Sequence, residues 1–265
     1  MSGPACYNFG HCISIDDSRP KDDEVRKIVT FDTPQEKYTY VNDMFSRIAR
    51  RYDLMNRVMT VGQDIRWRKL VVEAANLPER GSLLDIATGT GDIAFEALRQ
   101  HPQLSQVVGA DFTLPMMRVG QARSKTRPVQ WSGADTLHLP FPNDRFDAVV
   151  SGFLMRNVID VPAALAEQVR VCRLGGRVVI LEIPRPAETL FGRMFKLYFH
   201  KVVPVLGGLI SGQPDAYTYL PASADAFLRP AELKSAMEQA GLQNVSYQML
   251  MIGTVALHVG QKPGK

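Results

Sequence analysis

Leu83–Asp92 reads LLDIATGTGD. A short apolar run ends at Asp85, turns through Gly89-Thr90-Gly91 and restarts with helical spacing. That is the arrangement of a first β-strand feeding a helix in a nucleotide-binding α/β sheet. Glycine suits such a turn because the backbone bends sharply and a ligand can approach where a Cβ would collide. The spacing predicts a strand over 82–86 and a helix over 91–100.

Outward from this stretch the chain alternates. A second strand, Gln106–Ala110, ends at Asp111 and leads to a helix over about 114–124. Val129–Trp131 reads as a third strand. Phe146–Ser151 is a nearly continuous apolar run, as expected of a parallel strand buried on both faces. A helix over 161–172, a turn at Leu174-Gly175-Gly176 and a strand over Arg177–Glu182 follow. A helix over 230–240 and strands over 243–251 and 254–260 close the pattern. This alternation with short loops predicts a Rossmann-like, doubly wound α/β sheet of seven mostly parallel strands. Residues 185–228 break the rhythm and are expected to form a helical insertion over the C-terminal ends of the strands. Before the first strand, Tyr38, Val41, Phe45, Ile48 and Tyr52 make one apolar stripe at helical spacing. Trp67, Leu70, Val71 and Ala74 make another within 64–76. These N-terminal helices should pack over the mouth of the first strand. Residues 1–33 are polar and aperiodic and read as a flexible extension; 34–265 read as one domain.

Of 265 residues, 45% are apolar and 22% charged, the balance of an ordinary soluble globular protein. Five Lys/Arg against seven Asp/Glu leave residues 1–40 at −2, so with a total of +4 the rest of the chain carries +6. So mild a bias reads as a solvated surface, and no nucleic-acid partner is expected. Three cysteines make no disulfide framework and five scattered histidines make no metal site. No apolar run approaches the roughly 20 residues needed to span a bilayer. The acidic cluster Asp16, Asp17, Asp22, Asp23, Glu24 argues against a transit peptide. The expected setting is cytoplasmic.

Gly89–Ala94 also satisfies a loose GxGxxA dinucleotide pattern, so the glycines do not choose a ligand by themselves. Three features do. Asp85 and Asp92 flank the turn, where a pyrophosphate would want bare N–H groups and a positive field; carboxylates suit a ligand bearing an ammonium and a sulfonium. Asp111 ends the second strand about 20 residues on, placed for the hydroxyls of a ribose. Gly133-Ala134-Asp135 follows the third strand with small residues and an acceptor for an adenine edge. Met116 either lines that adenine or packs in the core. Together these features predict S-adenosylmethionine as cofactor.

The motifs YDLMN (52–56) with Trp67 beyond, DIATGTGD (85–92), AD (110–111), LPFPNDRFD (139–147), RNV (156–158), RVCRLGGRVVILE (170–182), DAYTYL (215–220) and VALHVG (255–260) occur in order. Over about residues 40–262 the chain resembles the class I S-adenosylmethionine-dependent methyltransferases, and within them the ubiquinone/menaquinone biosynthesis C-methyltransferase family. The resemblance implies C-methylation of a prenylated quinol, either demethylmenaquinol or a benzoquinol precursor of ubiquinone. Cofactor contacts are then expected from Asp85, Ala87, Gly89, Thr90, Gly91, Asp111, Met116, Gly133, Ala134, Asp135, Ser151 and Gly152. The family usually carries His at Asp64, Pro at Leu174 and Ser at Pro184. Where it has Phe-Gly-Leu-Arg-Asn this chain has Phe153-Leu154-Met155-Arg156-Asn157, which predicts a bulkier pocket beside the sulfonium.

An aromatic carbon accepts a methyl group when a neighbouring hydroxyl ionises, so the protein must stabilise a phenolate and remove a proton. Arg156, after the fourth strand, is the expected phenolate partner, and Asn157 the group that fixes the quinol oxygen or a water. Tyr217, Asp215 and His200 from the insertion, with Tyr52 and Asn56 from the N-terminal helices, are expected to complete the acceptor site. Within Leu190–Ile210, Phe191, Phe195, Phe199 and Val203 recur every four residues beside Arg193, Lys196 and Lys201. This pattern fits a lid on the sheet, peripheral contact with the inner face of a membrane, or both. A homodimer stays open. Three other readings remain: a methyltransferase for another small-molecule or lipid acceptor, a nicotinamide-dependent oxidoreductase, and a non-catalytic cofactor-binding protein.

Overall fold

The computed structural model describes residues 31–123 and 129–264. The extension expected over 1–33 therefore falls almost wholly outside the described residues. Three helices lead in: α1 (Pro34–Ile48), α2 (Tyr52–Met59) and α3 (Gln63–Ala75). The sheet and its helices follow as β1 (Ser82–Ile86), α4 (Asp92–Gln100), β2 (Gln106–Asp111), α5 (Leu114–Arg123), β3 (Gln130–Gly133), β4 (Phe146–Gly152), α6 (Val161–Val171) and β5 (Cys172–Glu182). The insertion holds α7 (Leu190–Leu197), a π-helical turn at Tyr198–Val202, α8 (Val203–Ser211) and α9 (Pro214–Ala226). The chain ends through α10 (Pro230–Gln239), β6 (Gln243–Leu250) and β7 (Val255–Gln261).

The seven strands lie in the order β3-β2-β1-β4-β5-β7-β6, with β7 antiparallel to both its neighbours and the other described pairs parallel. All five residues of β1 are buried because the strand is central and covered on both faces. One face packs Leu84, Ile86, Val149, Val178 and Ile180 against Leu165, Leu233 and Met237 of α6 and α10. The other packs Leu83, Val107, Val150 and Val179 against Trp67, Val71, Ala94 and Ala97 of α3 and α4. A third apolar cluster joins Val41, Met44, Ile48 and Met55 to Phe199, Val203, Tyr217 and Tyr219, so the N-terminal helices and the insertion share a core of their own.

Some boundaries differ from expectation. The stripe from Tyr38 to Tyr52 is two helices, because a 3₁₀ turn at Ala49–Arg51 redirects the chain between α1 and α2. The Leu174-Gly175-Gly176 turn sits inside β5. Cys172 pairs with Phe146 and Arg177 with Ala148, and the intervening residues bulge out, with Gly175 at φ +77°. β3 extends to Gly133 because its ladder with β2 runs on to Asp111↔Gly133.

Helix α5 approaches the glycine turn closely at Gly120, where an added Cβ would lie 2.3 Å from Trp131 Cη2 and 2.6 Å from the Thr90 carbonyl oxygen. Since Thr90 O is backbone, the helix itself must retreat to admit a methyl group. Gly120→Ala is expected to cost about 1–3 kcal/mol in urea unfolding, the range for overpacking a filled site. Unchanged stability would show that the approach is loose.

Candidate active site

Strand ends supply the first half of the site. Asp85 is buried near the end of β1; its carboxylate accepts from Thr88 Oγ1 at 2.7 Å, while Oδ1 has no partner among the described residues. Asp111 ends β2 with one oxygen accepting from the Gly89 amide at 2.8 Å and the other from the Thr113 amide at 2.7 Å. Burial raises the Asp85 carboxyl to about 7 and the Asp111 carboxyl to about 6. Ala87 (φ +52°), Gly89 (φ +56°) and Gly91 (φ +86°) carry the turn through left-handed backbone, and Phe153 (φ +60°) does the same after β4. Left-handed non-glycine residues at two strand ends on one rim are the kind of strain that clusters at functional sites.

Ala134 donates its amide to the Asp111 carbonyl at 3.0 Å, which sets Gly133, Ala134 and Asp135 beside β2. Asp135 lines a small hollow with Tyr38, Phe112, Leu154 and Asn157, and the Tyr38 and Phe112 rings stand 5.0 Å apart over it. Met116 is buried with its Cε 3.2 Å from where a Gly89 Cβ would stand, so it packs beneath the turn. Ser151 is buried in β4 with a hydroxyl that has no partner among the described residues, and Gly152 follows it.

Asp92 and Thr90 are engaged otherwise than expected. A ladder of alternating charge crosses the mouth of the turn. Arg57 meets Asp64 at 3.4 Å, Arg68 bonds Asp64 and meets Asp92 at 3.0 Å, and Arg123 meets Asp92 at 2.6 Å and Asp53 at 2.9 Å. Thr90 Oγ1 donates to Asp53 at 2.7 Å. Asp92 thus joins helices α3, α4 and α5 and is spent on two arginines. The ladder crosses the N-terminus of α4, where a dinucleotide would place its pyrophosphate, with carboxylates and guanidinium groups already paired to one another.

The second half is a cavity of about 400 Å³ between β4, α2 and the insertion. Tyr52, Asn56, Arg156, Asn157, Tyr217 and Tyr219 line it among apolar side chains that include Phe45, Trp67, Phe195 and Phe199. Asn157 faces both this cavity and the hollow beside Asp135. Its Oδ1 accepts from the Tyr219 hydroxyl at 3.2 Å, and its Nδ2 donates to the Phe153 carbonyl at 3.1 Å. Burial holds the Tyr52 hydroxyl above the usual tyrosine range and pushes Tyr217 up to about 12. The Tyr217 hydroxyl makes no hydrogen bond of normal geometry; neighbouring Ser211 spends its own on the Gly207 carbonyl at 2.6 Å.

Arg156, the expected phenolate partner, lines the cavity as half of an ion pair. It is buried, and its Nη1 donates to Glu182 Oε1 at 2.5 Å and to the Phe153 carbonyl at 3.0 Å. Glu182 also accepts the amides of Arg156 (3.2 Å) and Ile183 (2.8 Å). Arg156 Nε is left without a partner among the described residues. Lys37, reaching down from α1, donates to the Val158 carbonyl at 2.9 Å and holds the loop after β4 from above.

Two expected acceptor residues do not join this group. Asp215 is exposed in the first turn of α9 and pairs with Arg47. His200 bonds Asp225 at 2.9 Å, where Lys196 also approaches at 3.3 Å, so it ties the π turn to the end of α9. The bulkier residues of the Phe153–Asn157 stretch do not crowd the large cavity either. Met155 is buried in the sheet core, accepting from Gln168 Nε2 at 3.4 Å, and Leu154 borders only the smaller hollow. Glu182, Lys37, Asp53 and Tyr219 escaped sequence reading. Asp53 and Tyr219 lay inside the YDLMN and DAYTYL motifs, and Glu182 left a signal of its own, a carboxylate closing the apolar run Val178–Leu181.

Because the Arg156–Glu182 pair is dry, removing one partner strands the other. Glu182→Ala is expected to cost about 3–5 kcal/mol in denaturant unfolding, while replacing both by apolar residues of similar volume recovers most of that loss. Equal losses from the single and double variants would contradict the pairing.

The profile of the ubiE/COQ5 methyltransferase family matches residues 33–262. A demethylmenaquinone methyltransferase of Thermus thermophilus is 46% identical over 222 residues, covering 83% of this chain and 100% of the relative. A ubiquinone/menaquinone biosynthesis C-methyltransferase UbiE of Desulfotalea psychrophila is 42% identical, covering 84% and 90%. Among solved structures, an S-adenosylmethionine-dependent methyltransferase of Thermotoga maritima superposes with a TM-score of 0.56 at 19% identity, over 83% of this chain and 99% of that one. So distant a likeness speaks for the fold alone. With the strand order 3-2-1-4-5-7-6 and a profile matched across nearly all of the described residues, the chain belongs to the ubiE/COQ5 methyltransferase family.

Proposed function

We propose that this enzyme transfers a methyl group from S-adenosylmethionine to a ring carbon of a prenylated quinol, with the demethylated naphthoquinol as first acceptor to try. The observation that carries the reading is the cavity, where Tyr52, Asn56, Asn157, Tyr217 and Tyr219 join Arg156 in a wall that is otherwise mostly apolar, with Asp64, Thr60 and Thr254 among its further polar residues. The Arg156 charge acts on both the Tyr52 and Tyr219 hydroxyls, so the polar groups form one cluster. A ligand with a small polar ring and a long apolar tail matches that distribution. The names of the relatives at 42–46% identity point the same way.

Orphaned polar atoms support the cofactor. Asp85 Oδ1 and Ser151 Oγ are buried on the rim without partners among the described residues, and a ligand with an ammonium and hydroxyls would relieve them. Asp111 spends one lone pair per oxygen on backbone amides and keeps capacity for ribose hydroxyls. Bound there, S-adenosylmethionine supplies the methyl group as an electrophile on a sulfonium. The protein's task is to align the ring carbon with that methyl group and to favour the quinol's ionised form. Arg156, oriented by Glu182, offers its unpartnered Nε–H to the quinol oxygen, directly or through a water. Asn157, held by Tyr219 and Phe153 O, places that oxygen beside the cofactor hollow. Asp64, the carboxylate lining the cavity, is spent on Arg57 and Arg68, so the hydroxyl proton passes to water. As the C–C bond forms the S–CH3 bond breaks, leaving the neutral thioether; the ring-carbon hydrogen is then lost as a proton and one proton returns to the quinol oxygen, for a net release of one.

Labelled S-adenosylmethionine offered with short-tailed demethylated quinols should put label on a ring carbon. Arg156→Gln/Glu182→Gln, which leaves no unpaired buried charge, should lower kcat by about 10²–10³, as for removal of a preorganised donor, with cofactor affinity kept. No label in any quinol, or equal rates on simple soluble phenols, would reject the acceptor.

Binding should also depend on pH. Asp85 and Asp111 bind protons more tightly folded than unfolded, so without cofactor their contribution to stability falls as pH rises through about 6 to 7. A cationic ligand favours the ionised carboxyls and offsets that loss. The thermal shift conferred by S-adenosylmethionine should therefore be larger at pH 8 than at pH 5.5, with a smaller difference in Asp85→Asn. A shift that does not vary with pH in the wild type would count against ligand contact by these groups.

A further inference from the structure

We propose that the outer face of the α7–α8 lid docks on a bilayer with anionic headgroups, and that the acceptor cavity opens onto this face. The inference rests on the prenylated acceptor proposed above. It starts from a reversal of the expected lid geometry. Phe195, Phe199 and Val203 face inward onto the cavity and the third apolar cluster. A lid helix that buries one stripe should then show polar residues outward. Instead, Leu190, Met194, Leu197 and Leu209 stand 78%, 61%, 64% and 79% exposed. Single exposed leucines are ordinary, but a run of them along one face of consecutive helices marks an interaction surface.

Charge selects the partner. From Leu190 to Ser211 the chain has Arg193, Lys196 and Lys201 and no Asp or Glu. Lys196 leans toward Asp225, whereas Arg193 and Lys201 make no salt bridge among the described residues. Apolar side chains flanked by cations alone are the makeup of an interfacial helix at an anionic lipid surface. The helices are too short to enter further, and no helix among the described residues is long and apolar enough to cross a membrane.

The cavity meets this face. Its wall includes Met194, Val61 (81% exposed) and Met251, residues that also lie on the surface. The Tyr198 hydroxyl donates to the Met59 carbonyl at 3.2 Å and sets the end of α2 against the lid beside that rim. An apolar tail leaving the cavity past Val61 and Met194 emerges onto the apolar face. With that face on lipid, the tail passes between cavity and bilayer without meeting water.

Leu197 and Leu209 lie outside the cavity wall, so changing them tests docking separately from acceptor binding. The full chain should co-sediment with phosphatidylglycerol vesicles, more weakly with phosphatidylcholine alone, and less as salt rises. Leu197→Glu/Leu209→Glu should weaken vesicle binding at least roughly tenfold, given the apolar area each leucine buries. The same variant should keep the wild-type rate on a short-tailed quinol in solution and lose rate on a long-tailed quinol in vesicles. Vesicle binding that ignores the double substitution overturns the proposal. So does a wild-type self-association that the substitution abolishes in a protein that never binds vesicles, since the face would then belong to a second copy. If the substitution abolishes vesicle binding but no quinol is methylated, docking stands and the acceptor reading falls.

Discussion

The hydrogen bond from the Gly89 amide to the Asp111 carboxylate, 2.8 Å long and shut away from water, joins the turn after β1 to the end of β2. Asp111 takes the Thr113 amide with its other oxygen, and its own carbonyl takes the Ala134 amide. One residue therefore fixes the glycine turn, the start of α5 and the segment after β3, which together form one side of the rim. Holding that carboxylate dry is unfavourable, as its raised pKa records. The backbone amides recover part of the cost, and a cofactor offering further donors would recover more. The same logic holds for Asp85 one strand away.

The rim needs a roof, and the roof is held by different physics on its two sides. Toward the cofactor, α2, α3 and α5 are latched by the alternating ladder from Arg57 to Asp53, whose members are partly wet and open to screening by salt. Toward the acceptor, α1, α2 and the insertion are joined by apolar packing in the third cluster, with the Tyr40 and Tyr219 rings 5.4 Å apart. A polar latch suits a mouth that passes a charged, water-soluble ligand. An apolar seam suits one that passes a lipid.

Much of this was legible in the sequence because it is local. The sheet was readable from Leu83–Ile86, Gln106–Asp111 and Phe146–Ser151, whose apolar runs reflect burial on both faces whatever the neighbours do. The places of Asp111, Arg156 and Asn157 were readable because residues after strand ends fall on one rim. What escaped depends on partners far along the chain. Glu182 lies 26 residues beyond Arg156, and Lys37 121 residues before Val158. Asp215 and His200 show the converse error: polar residues in a motif-bearing insertion looked functional, yet α9 turns Asp215 out to Arg47 and the π turn aims His200 at Asp225. The lid stripe was found at the right spacing, but periodicity could not say that Phe195, Phe199 and Val203 already had an inner surface to cover.

The Arg156–Glu182 pair sets what this arginine can offer the cavity. A free guanidinium would stabilise a phenolate by net charge, an effect that also draws water and anions into an open site. Paired with Glu182, the unit is neutral, and it can sit in an apolar cavity without a standing demand for counterions. What remains is direction: Nη1 is fixed by two acceptors, and Nε–H has no partner among the described residues. Such a donor favours charge that develops where it points and gains little from a neutral hydroxyl. On the proposed acceptor, the pair would reconcile two demands on this cavity, a largely apolar wall for the tail and an electrostatic preference for the ionised ring.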